Sequence, residues 1–329
     1  MRELVLILPD LFSLDTAAAV GRPFACTALR FAPARAVPGG WRSVLARGLG
    51  REELALIEPA STVAAAADAP LDAWLATPLH WVAGLTSVHL PEHGQLRLAS
   101  EELNELARAF ADEFARDGLA LRPLAGDTLL LEGLTGVAAT TAEPVRLYGQ
   151  SVYAQLPSGL DAKLLRQLMS EIEMWLHGLP LNQRRSARGL PSISTLWLWG
   201  GGAPPRNAPT VAAAEPRWSL VCSDDVWVAS CAALAQAVHV SLPTSFDAVS
   251  EAAARHAAES VVMVTPTLPQ GLAYIEQCYL AAAAAALADG LLERLTLVTP
   301  DRACSVQSGD RWRWWRPRRE WWSVLTEQA

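Results

Sequence analysis

The chain of 329 residues is 51% hydrophobic and 19% charged, which favours a folded protein with a large core and excludes a largely disordered one. Its formal net charge of −7 argues against a dedicated nucleic-acid-binding protein, because such proteins usually carry a basic surplus. The five cysteines are scattered and form no CxxC pair, which predicts reduced thiols and a cytoplasmic location.

Two apolar stretches are too short to cross a bilayer. The run at residues 4–8 stops at Pro9, and the alanine-rich run at residues 280–290 has the flanks of a buried helix in a soluble protein. We therefore expect no signal peptide and no membrane partner.

The first third of the chain predicts few regular elements. The continuous apolar run at residues 4–8 is typical of a buried strand, and Pro9-Asp10 follow it. Helices are predicted at residues 41–56 and 71–75. The character changes between residues 80 and 150, where an amphipathic helix at 99–118 lies among short predicted strands at 87–90, 120–123 and 128–132. This pattern indicates a small α+β unit.

The second half alternates helices and strands. Helices are predicted at residues 159–178, 225–237, 246–258 and 271–288, and strands at 196–199, 218–222, 238–242, 260–265 and 295–299. Such alternation favours an α/β fold with a doubly wound, mostly parallel sheet. We therefore divide the chain into the first part of an α/β core (1–79), an inserted α+β domain (80–150) and the remainder of the core (151–329).

The segment at residues 309–322 is rich in tryptophan and arginine. It would form either an edge strand whose tryptophans cover the core, or an exposed aromatic surface for nucleotides or a partner protein. The negative net charge favours the edge strand.

Familiar chemical motifs are sparse. His89 and His93 have the spacing of helical metal ligands, but Pro91 between them disfavours a helix. The glycines at 200–202 follow a predicted strand, where α/β sheets place ligands, yet they run into Ala203-Pro204 instead of a helix. Taken alone, this favours a tight turn over a phosphate cradle.

The run SEIEMWLHGLPLNQRRSARGLPSISTLWLWGGG at residues 170–202 carries a family resemblance. It is similar to the proteobacterial regulatory proteins of the pathogenicity-factor (Rpf) type, which carry E-I-x-M-x-L-H-x-x-P-x-N-x-x-R-x-x-x-G-x-P-x-x-x-x-L-W-x-W-G-G-G. The matching residues are Glu171, Ile172, Met174, Leu176, His177, Pro180, Asn182, Arg185, Gly189, Pro191, Leu196, Trp197, Trp199 and Gly200 to Gly202.

A more distant resemblance is to the archaeal-type cofactor-independent phosphoglycerate mutases of the alkaline phosphatase superfamily, which also have a tryptophan-containing strand that ends in W-G-x-G. This resemblance implies an alkaline-phosphatase-like α/β core with an inserted α+β domain. It also implies chemistry that needs two metal ions, a serine nucleophile and a set of aspartate and histidine ligands, so the loss of ligands should remove activity.

The chain departs from that ligand set. Asp10 matches the first ligand and Asp301 matches the aspartate of a T-A-D-H-S motif, but Arg302 replaces the histidine that follows. Leu268 and Leu272 fall where D-x-x-x-H is expected, and neither can bind a metal. Ser61 is the nearest candidate for the nucleophile, and its surroundings do not match.

The sequence therefore predicts a catalytically inactive, phosphoglycerate-mutase-like protein with a regulatory role. It would bind a small phosphorylated or carboxylate ligand, or a protein partner, in a residual cleft and use no cofactor; we expect no nucleic-acid partner. The candidate residues of that cleft are Asp10, Asn182, Arg184, Arg185, Gly200, Gly201, Gly202, Asp224, Asp301 and Arg302. The alternative is an active mutase or metal-dependent phosphatase with a reduced ligand set, in which Asp10 and Asp301 would hold manganese or zinc.

Overall fold

The computed structural model describes residues 1–11, 28–84, 87–124, 128–148, 150–202, 214–266, 271–312, 314–316, 318–320 and 325. The chain forms two compact units. The first comprises Met1–Ala55 together with Pro209–Ala329, and the second comprises Leu56–Ala208.

Short strands and helices of moderate length follow one another along the described chain. The strands are β1 (Glu3–Ile7), β2 (Ala28–Leu29), β3 (Arg35–Ala36), β4 (Trp74–Leu79), β5 (Val82–Ala83), β6 (Val88–His89), β7 (Ala120–Pro123), β8 (Leu129–Glu132), β9 (Thr195–Trp199), β10 (Leu220–Cys222), β11 (Val238–Val240), β12 (Ser260–Val264), β13 (Arg294–Val298), β14 (Arg302–Gln307) and β15 (Arg319–Glu320). The helices are α1 (Gly40–Gly48), α2 (Pro59–Ala66), α3 (Ser100–Phe114), α4 (Ala162–Gly178), α5 (Pro180–Ala187), α6 (Val226–Leu234), α7 (Phe246–Arg255), α8 (Leu272–Ile275) and α9 (Ala281–Ala288); a π-helical turn at Glu276–Leu280 joins the last two.

The first unit contains a large, mostly parallel sheet. Its strand order is β11-β10-β12-β1-β13-β14-β3, in which the first five strands run parallel and β14 and β3 are antiparallel to their neighbours. All five residues of β1 are buried, because a strand between two parallel neighbours is covered on both faces. The prediction of an α/β fold with a mostly parallel sheet is confirmed.

The second unit is built around an antiparallel sheet. Its strand order is β7-β8-β4-β9, and the chain of this unit also supplies helices α2 to α5 and the small ladder β5-β6. Trp74 on β4 and Trp197 on β9 are fully buried in it. Because β4 and β9 provide two of the four strands, this unit extends from residue 56 to residue 208, beyond the 80–150 insert that the sequence predicts.

Strands β4 and β9 differ from the sequence predictions for residues 71–75 and 196–199. The helix predicted at residues 71–75 is wrong, because Trp74–Leu79 is a strand whose six residues are all buried. The strand at the LWLW sequence is present as β9, but it pairs antiparallel with β4, with Thr77 opposite Trp197. It therefore lies at the edge of the second unit's sheet and is not one of the parallel strands.

In the tryptophan-rich segment, the described residues between 309 and 316 do not form the predicted edge strand, and Arg319–Glu320 pair as β15 with β2. Residues Ser308–Trp312 form a 3-10 helix, and a turn follows at residues 314–316. Trp312, Trp314 and Trp315 are 72%, 79% and 64% exposed, so the interpretation that these rings cover the core is wrong.

Among the helices that the structure describes, none combines the length and the hydropathy needed to cross a bilayer.

Candidate functional site

Polar side chains follow four neighbouring parallel strands of the first unit. Asp10 lies after β1, Ser223 after β10, Thr265 after β12 and Thr299 after β13, and each is at most 3% exposed. The carboxyl ends of parallel strands meet at one edge of a sheet, which is where open α/β sheets bind their ligands. This polar edge, defined by these four residues, is the candidate site of the first unit.

Asp301 lies in the turn between β13 and β14, and Arg302 begins β14, next to the polar edge. Nε of Arg302 lies 3.8 Å from Oδ2 of Asp301, so these two neighbours form an ion pair. The hydroxyl of Thr299 accepts a hydrogen bond from the backbone N–H of Arg302 at 3.1 Å and lies 3.3 Å from Oδ1 of Asp301. The carboxylate of Asp301 is 76% exposed, whereas the arginine side chain is 23% exposed.

The two acids after β10 hold the backbone around them. Oδ1 of Asp224 accepts a hydrogen bond from the backbone N–H of Leu242 at 3.0 Å. Asp225 caps helix α6, because its Oδ1 accepts from the N–H of Val228 at 3.0 Å. Of this pair, Asp224 is the one predicted to bind a ligand, and the structure shows its carboxylate joining the ends of β10 and β11.

Asn182 links three parts of the second unit. Its amide nitrogen donates to the carbonyl oxygens of Leu176 and Ile193, each at 2.8 Å, and its amide oxygen accepts from the N–H of Ile193 at 2.7 Å. The side chain is 6% exposed. Both amide hydrogens are therefore used inside the protein, where they fasten the end of α4 to the segment that precedes β9.

The neighbouring arginines also bind groups of the second unit. Nη1 of Arg185 lies 2.8 Å from both carboxylate oxygens of Glu102, and its Nε donates to the carbonyl oxygen of Pro191 at 2.9 Å. Arg184 contacts the carboxylate of Glu105 at the surface. These bonds give both predicted ligand-binding arginines partners on helix α3.

The glycine turn at 200–202 is required by packing. A Cβ atom on Gly201 would lie 2.4 Å from Cδ2 of Trp74, closer than real Cβ contacts come. Gly200 has φ +62° and Gly202 has φ +139°, conformations that favour glycine. The carbonyl oxygen of Gly200 accepts a hydrogen bond from the N–H of Ala60 at 2.8 Å. This geometry is that of a tight turn against β4.

The predicted site residues divide between the two units. Asp10, Asp224, Asp301 and Arg302 belong to the first unit, and Asn182, Arg184, Arg185 and the glycines at 200–202 belong to the second. The structure thus brings Asp301 and Arg302 together in one turn and joins Asn182 and Arg185 through the loop at 191–193. A single cleft that contains all of them stays a prediction.

The residues that the structure describes do not fit a two-metal centre. Within the described ranges, no group of three or more histidine, cysteine, aspartate or glutamate residues is placed to hold a metal ion. Arg302 is a cation where a ligand is expected, and Leu272 is a buried apolar residue. The hydroxyl of Ser61 is buried and donates to the carbonyl oxygen of Leu71 at 2.7 Å. Leu268 lies outside the described residues.

Glu173 on α4 is a titratable residue that the sequence analysis did not select. Burial raises the pKa of this carboxyl, and the nearby side chains of Thr195 and Trp81 partly oppose the shift. The helical spacing carries the signal: Met169 lies four positions before it and Leu176 three after it, and both are buried. Glu173 is thus an acid on the inner face of an amphipathic helix.

The chain is distantly similar in sequence to cofactor-independent phosphoglycerate mutases. It is 30% identical over 112 residues to a probable 2,3-bisphosphoglycerate-independent phosphoglycerate mutase of Geobacter sulfurreducens. That alignment covers 34% of this chain and 28% of the relative. It is 25% identical over 126 residues to the 2,3-bisphosphoglycerate-independent phosphoglycerate mutase of Methanosarcina barkeri, with 36% and 32% covered. The matches thus span about a third of the chain and of each relative. No family model matches the chain.

Solved structures give a weaker likeness. The cofactor-independent phosphoglycerate mutase of Thermoplasma acidophilum superposes with a TM-score of 0.43 at 12% identity and covers all of this chain and 96% of its own. The PH0037 protein of Pyrococcus horikoshii superposes with a TM-score of 0.48 at 12% identity and covers 92% of this chain and 86% of its own. The resemblance to the Rpf-type regulatory proteins stays a prediction.

Proposed function

We propose that this protein is phosphoglycerate-mutase-like but has lost two-metal phosphoryl transfer, and that it acts in the cytoplasm as a regulatory protein that binds a small anionic ligand. One observation carries the proposal. At the polar edge of the parallel sheet, Arg302 stands where the resemblance expects a histidine ligand, and it forms an ion pair with Asp301 at 3.8 Å.

An arginine at position 302, in place of the expected histidine, changes the chemistry of the polar edge. A guanidinium stays protonated at physiological pH and does not ligate a divalent metal, but its fork of N–H donors matches carboxylate and phosphate oxygens. The Asp301 partner is 76% exposed, and exposed ion pairs contribute little to stability. An anionic group of a ligand can therefore compete with Asp301 for Arg302 at small cost.

The test is isothermal titration calorimetry of the protein with 3-phosphoglycerate and, separately, with inorganic phosphate. We expect saturable binding by the wild-type protein and a loss on the order of tenfold or more in Arg302→Gln, since a charge-assisted contact to a guanidinium is lost. The matched control is Arg255→Gln, which removes an exposed arginine from the end of α7. Equal binding by the two variants would show that the proposed ligand contact is wrong.

A second candidate function is an active mutase or phosphatase with a reduced set of metal ligands. Asp10 favours it, because this acid is 3% exposed and lies three residues after the end of the central strand β1, as the first ligand should. Metal content and manganese-dependent turnover of purified protein distinguish the two candidates. Stoichiometric metal, together with turnover that is lost in Asp10→Asn and Asp301→Asn, would establish the enzyme and overturn the inactive protein.

A further inference from the structure

The proposed ligand site leaves the tryptophan-rich segment of the first unit unexplained. Three of its indole rings are exposed within four residues of one another, at Trp312, Trp314 and Trp315. Large apolar side chains are scattered singly on ordinary surfaces, whereas a contiguous apolar patch marks an interaction site. We call these three side chains the indole patch.

The backbone that carries the indole patch is fixed to the rest of the first unit. The guanidinium of Arg30 donates to the carbonyl oxygens of Trp314 and Arg316. Asp310 is 3% exposed; it accepts a hydrogen bond from the N–H of Gln307 at 3.0 Å and forms an ion pair with Arg316 at 3.2 Å. The indoles are thus displayed on an anchored turn, which lowers the entropy that a partner must overcome to order them.

The charge of the segment is opposite to that of the whole protein. Residues 309–322 contain five arginines and two acids, a formal charge of +3 in a chain whose total is −7. Arg318, three positions after Trp315 in the chain, is exposed. A positively charged segment attracts an anionic partner, and the acidic remainder of the chain orients the segment towards it.

The ring geometry narrows the class of anionic partner. Trp314 and Trp315 are perpendicular, with an interplanar angle of 82° and centroids 6.1 Å apart, so they do not present parallel faces to two successive bases. A second copy that docked through the same segment would bring like charges together. Contact with the surface of an anionic bilayer needs no parallel rings, because indole rings partition into the headgroup region in many orientations. It also brings no like charges together.

We propose that the indole patch is a peripheral binding site for an anionic lipid surface. The tryptophan rings enter the headgroup region, and the exposed Arg318 contacts the lipid phosphates and carboxylates. The expectation of no membrane partner rests on the lack of a spanning segment, and a surface contact does not need one. The proposal is independent of the ligand site at the polar edge.

The experiment is flotation of the full chain with vesicles. Vesicles of phosphatidylcholine and phosphatidylserine in equal parts are compared with vesicles of pure phosphatidylcholine, at low and high salt. We expect binding to the anionic vesicles alone, weakened by salt, and a loss on the order of tenfold for each indole removed in Trp314→Ala/Trp315→Ala. Arg318→Gln is expected to weaken binding about fivefold.

Matched controls separate the site from general effects. Leu291→Ala removes a side chain that is 74% exposed elsewhere in the first unit, and Arg116→Gln removes an exposed arginine of the second unit; both should bind like the wild type. Trp314→Phe/Trp315→Phe keeps large aromatic rings and should retain most of the binding, which guards against misfolding of the alanine variant. Equal binding to neutral vesicles, unchanged binding by the alanine variant, or binding to a single-stranded oligonucleotide but not to vesicles would each overturn the proposal.

Discussion

Arg185 and Glu102 form a buried, two-point ion pair in the second unit. Nη1 of the arginine lies 2.8 Å from each carboxylate oxygen, and the two side chains are only 5% and 16% exposed. One residue earlier, Arg184 contacts Glu105, but there the side chains are 54% and 39% exposed. The same helix, α5, thus makes one buried and one solvated contact to α3.

This contrast predicts very different costs for two neighbouring substitutions. Arg185→Ala leaves Glu102 buried without its cation and should lower the free energy of unfolding by about 3–5 kcal/mol. Arg184→Ala breaks a solvated pair and should cost less than about 1 kcal/mol. Urea unfolding followed by tryptophan fluorescence measures both. Equal losses would show that the buried pair has no special structural role.

A second prediction concerns Asn182, whose amide makes three bonds to backbone groups. Asn182→Ala should lower the free energy of unfolding by about 2–4 kcal/mol, since three buried backbone groups lose their partner. Gln183→Ala, at an exposed position of the same helix, is the control and should be nearly neutral. If Asn182→Ala instead abolished binding of 3-phosphoglycerate without any loss of stability, the ligand-binding role predicted from sequence would be supported.

The parallel strands and the helices of the first unit can be predicted from sequence because their patterns are local, whereas β2, β3, β14 and β15 are not among the predicted strands. The run at β1 is apolar throughout, as a strand covered on both faces must be, and the alternation of strands and helices after residue 218 gave the parallel sheet. The placement of β9 was not local. Whether Trp197 faces a parallel neighbour or the antiparallel β4 depends on a pairing across more than a hundred residues, which the pattern of β9 itself does not encode.

Among the candidate site residues, too, contacts between sequence neighbours can be predicted and contacts between distant residues cannot. Asp301 and Arg302 are adjacent in sequence, so their pairing could be predicted, and the structure has it. The partners of Arg185 could not be predicted, because Glu102 lies 83 positions away on another helix. Arg184 and Arg185 are among the residues that the sequence predicts to bind an anionic ligand, and the fold instead pairs them with Glu105 and Glu102 of α3.

The glycine turn provides a third prediction. Gly201→Ala places a methyl group 2.4 Å from a ring carbon of Trp74 and 2.8 Å from the carbonyl oxygen of Ala73, so the free energy of unfolding should fall by about 1–3 kcal/mol or more. Gly178→Ala is the matched control, because the space around that glycine at the end of α4 is open and its φ is not positive. The control should stabilise the protein by up to about 1 kcal/mol. A neutral Gly201→Ala would mean that the turn tolerates a side chain and is free to approach a ligand.

Buried thiols in the first unit provide a fourth prediction. Burial raises the pKa of Cys222 and of Cys304 to about 12 and raises the pKa of Cys231 as well, and the nearby Asp225 adds to the last shift. The thiolate is the reactive form, so these three thiols should resist iodoacetamide in the native protein. Half-buried Cys278 should react before them. Peptide mapping by mass spectrometry measures the order in which the thiols are labelled. Early labelling of Cys222 would show that the central sheet opens readily.

The fifth prediction is a pH dependence centred on Glu173. Burial raises the pKa of this carboxyl above its ordinary value of 4.5, so the folded state binds a proton more tightly than the unfolded state. Its contribution to stability is therefore full below pH 4.5 and is lost as the pH rises through the folded-state pKa. Glu173→Gln removes the charge, so near neutral pH it should unfold at higher urea than the wild type, and that advantage should shrink as the pH falls towards 4.5. The exposed neighbour Glu171→Gln is the control, and an advantage of Glu173→Gln that grew on acidification would contradict the sign of the shift.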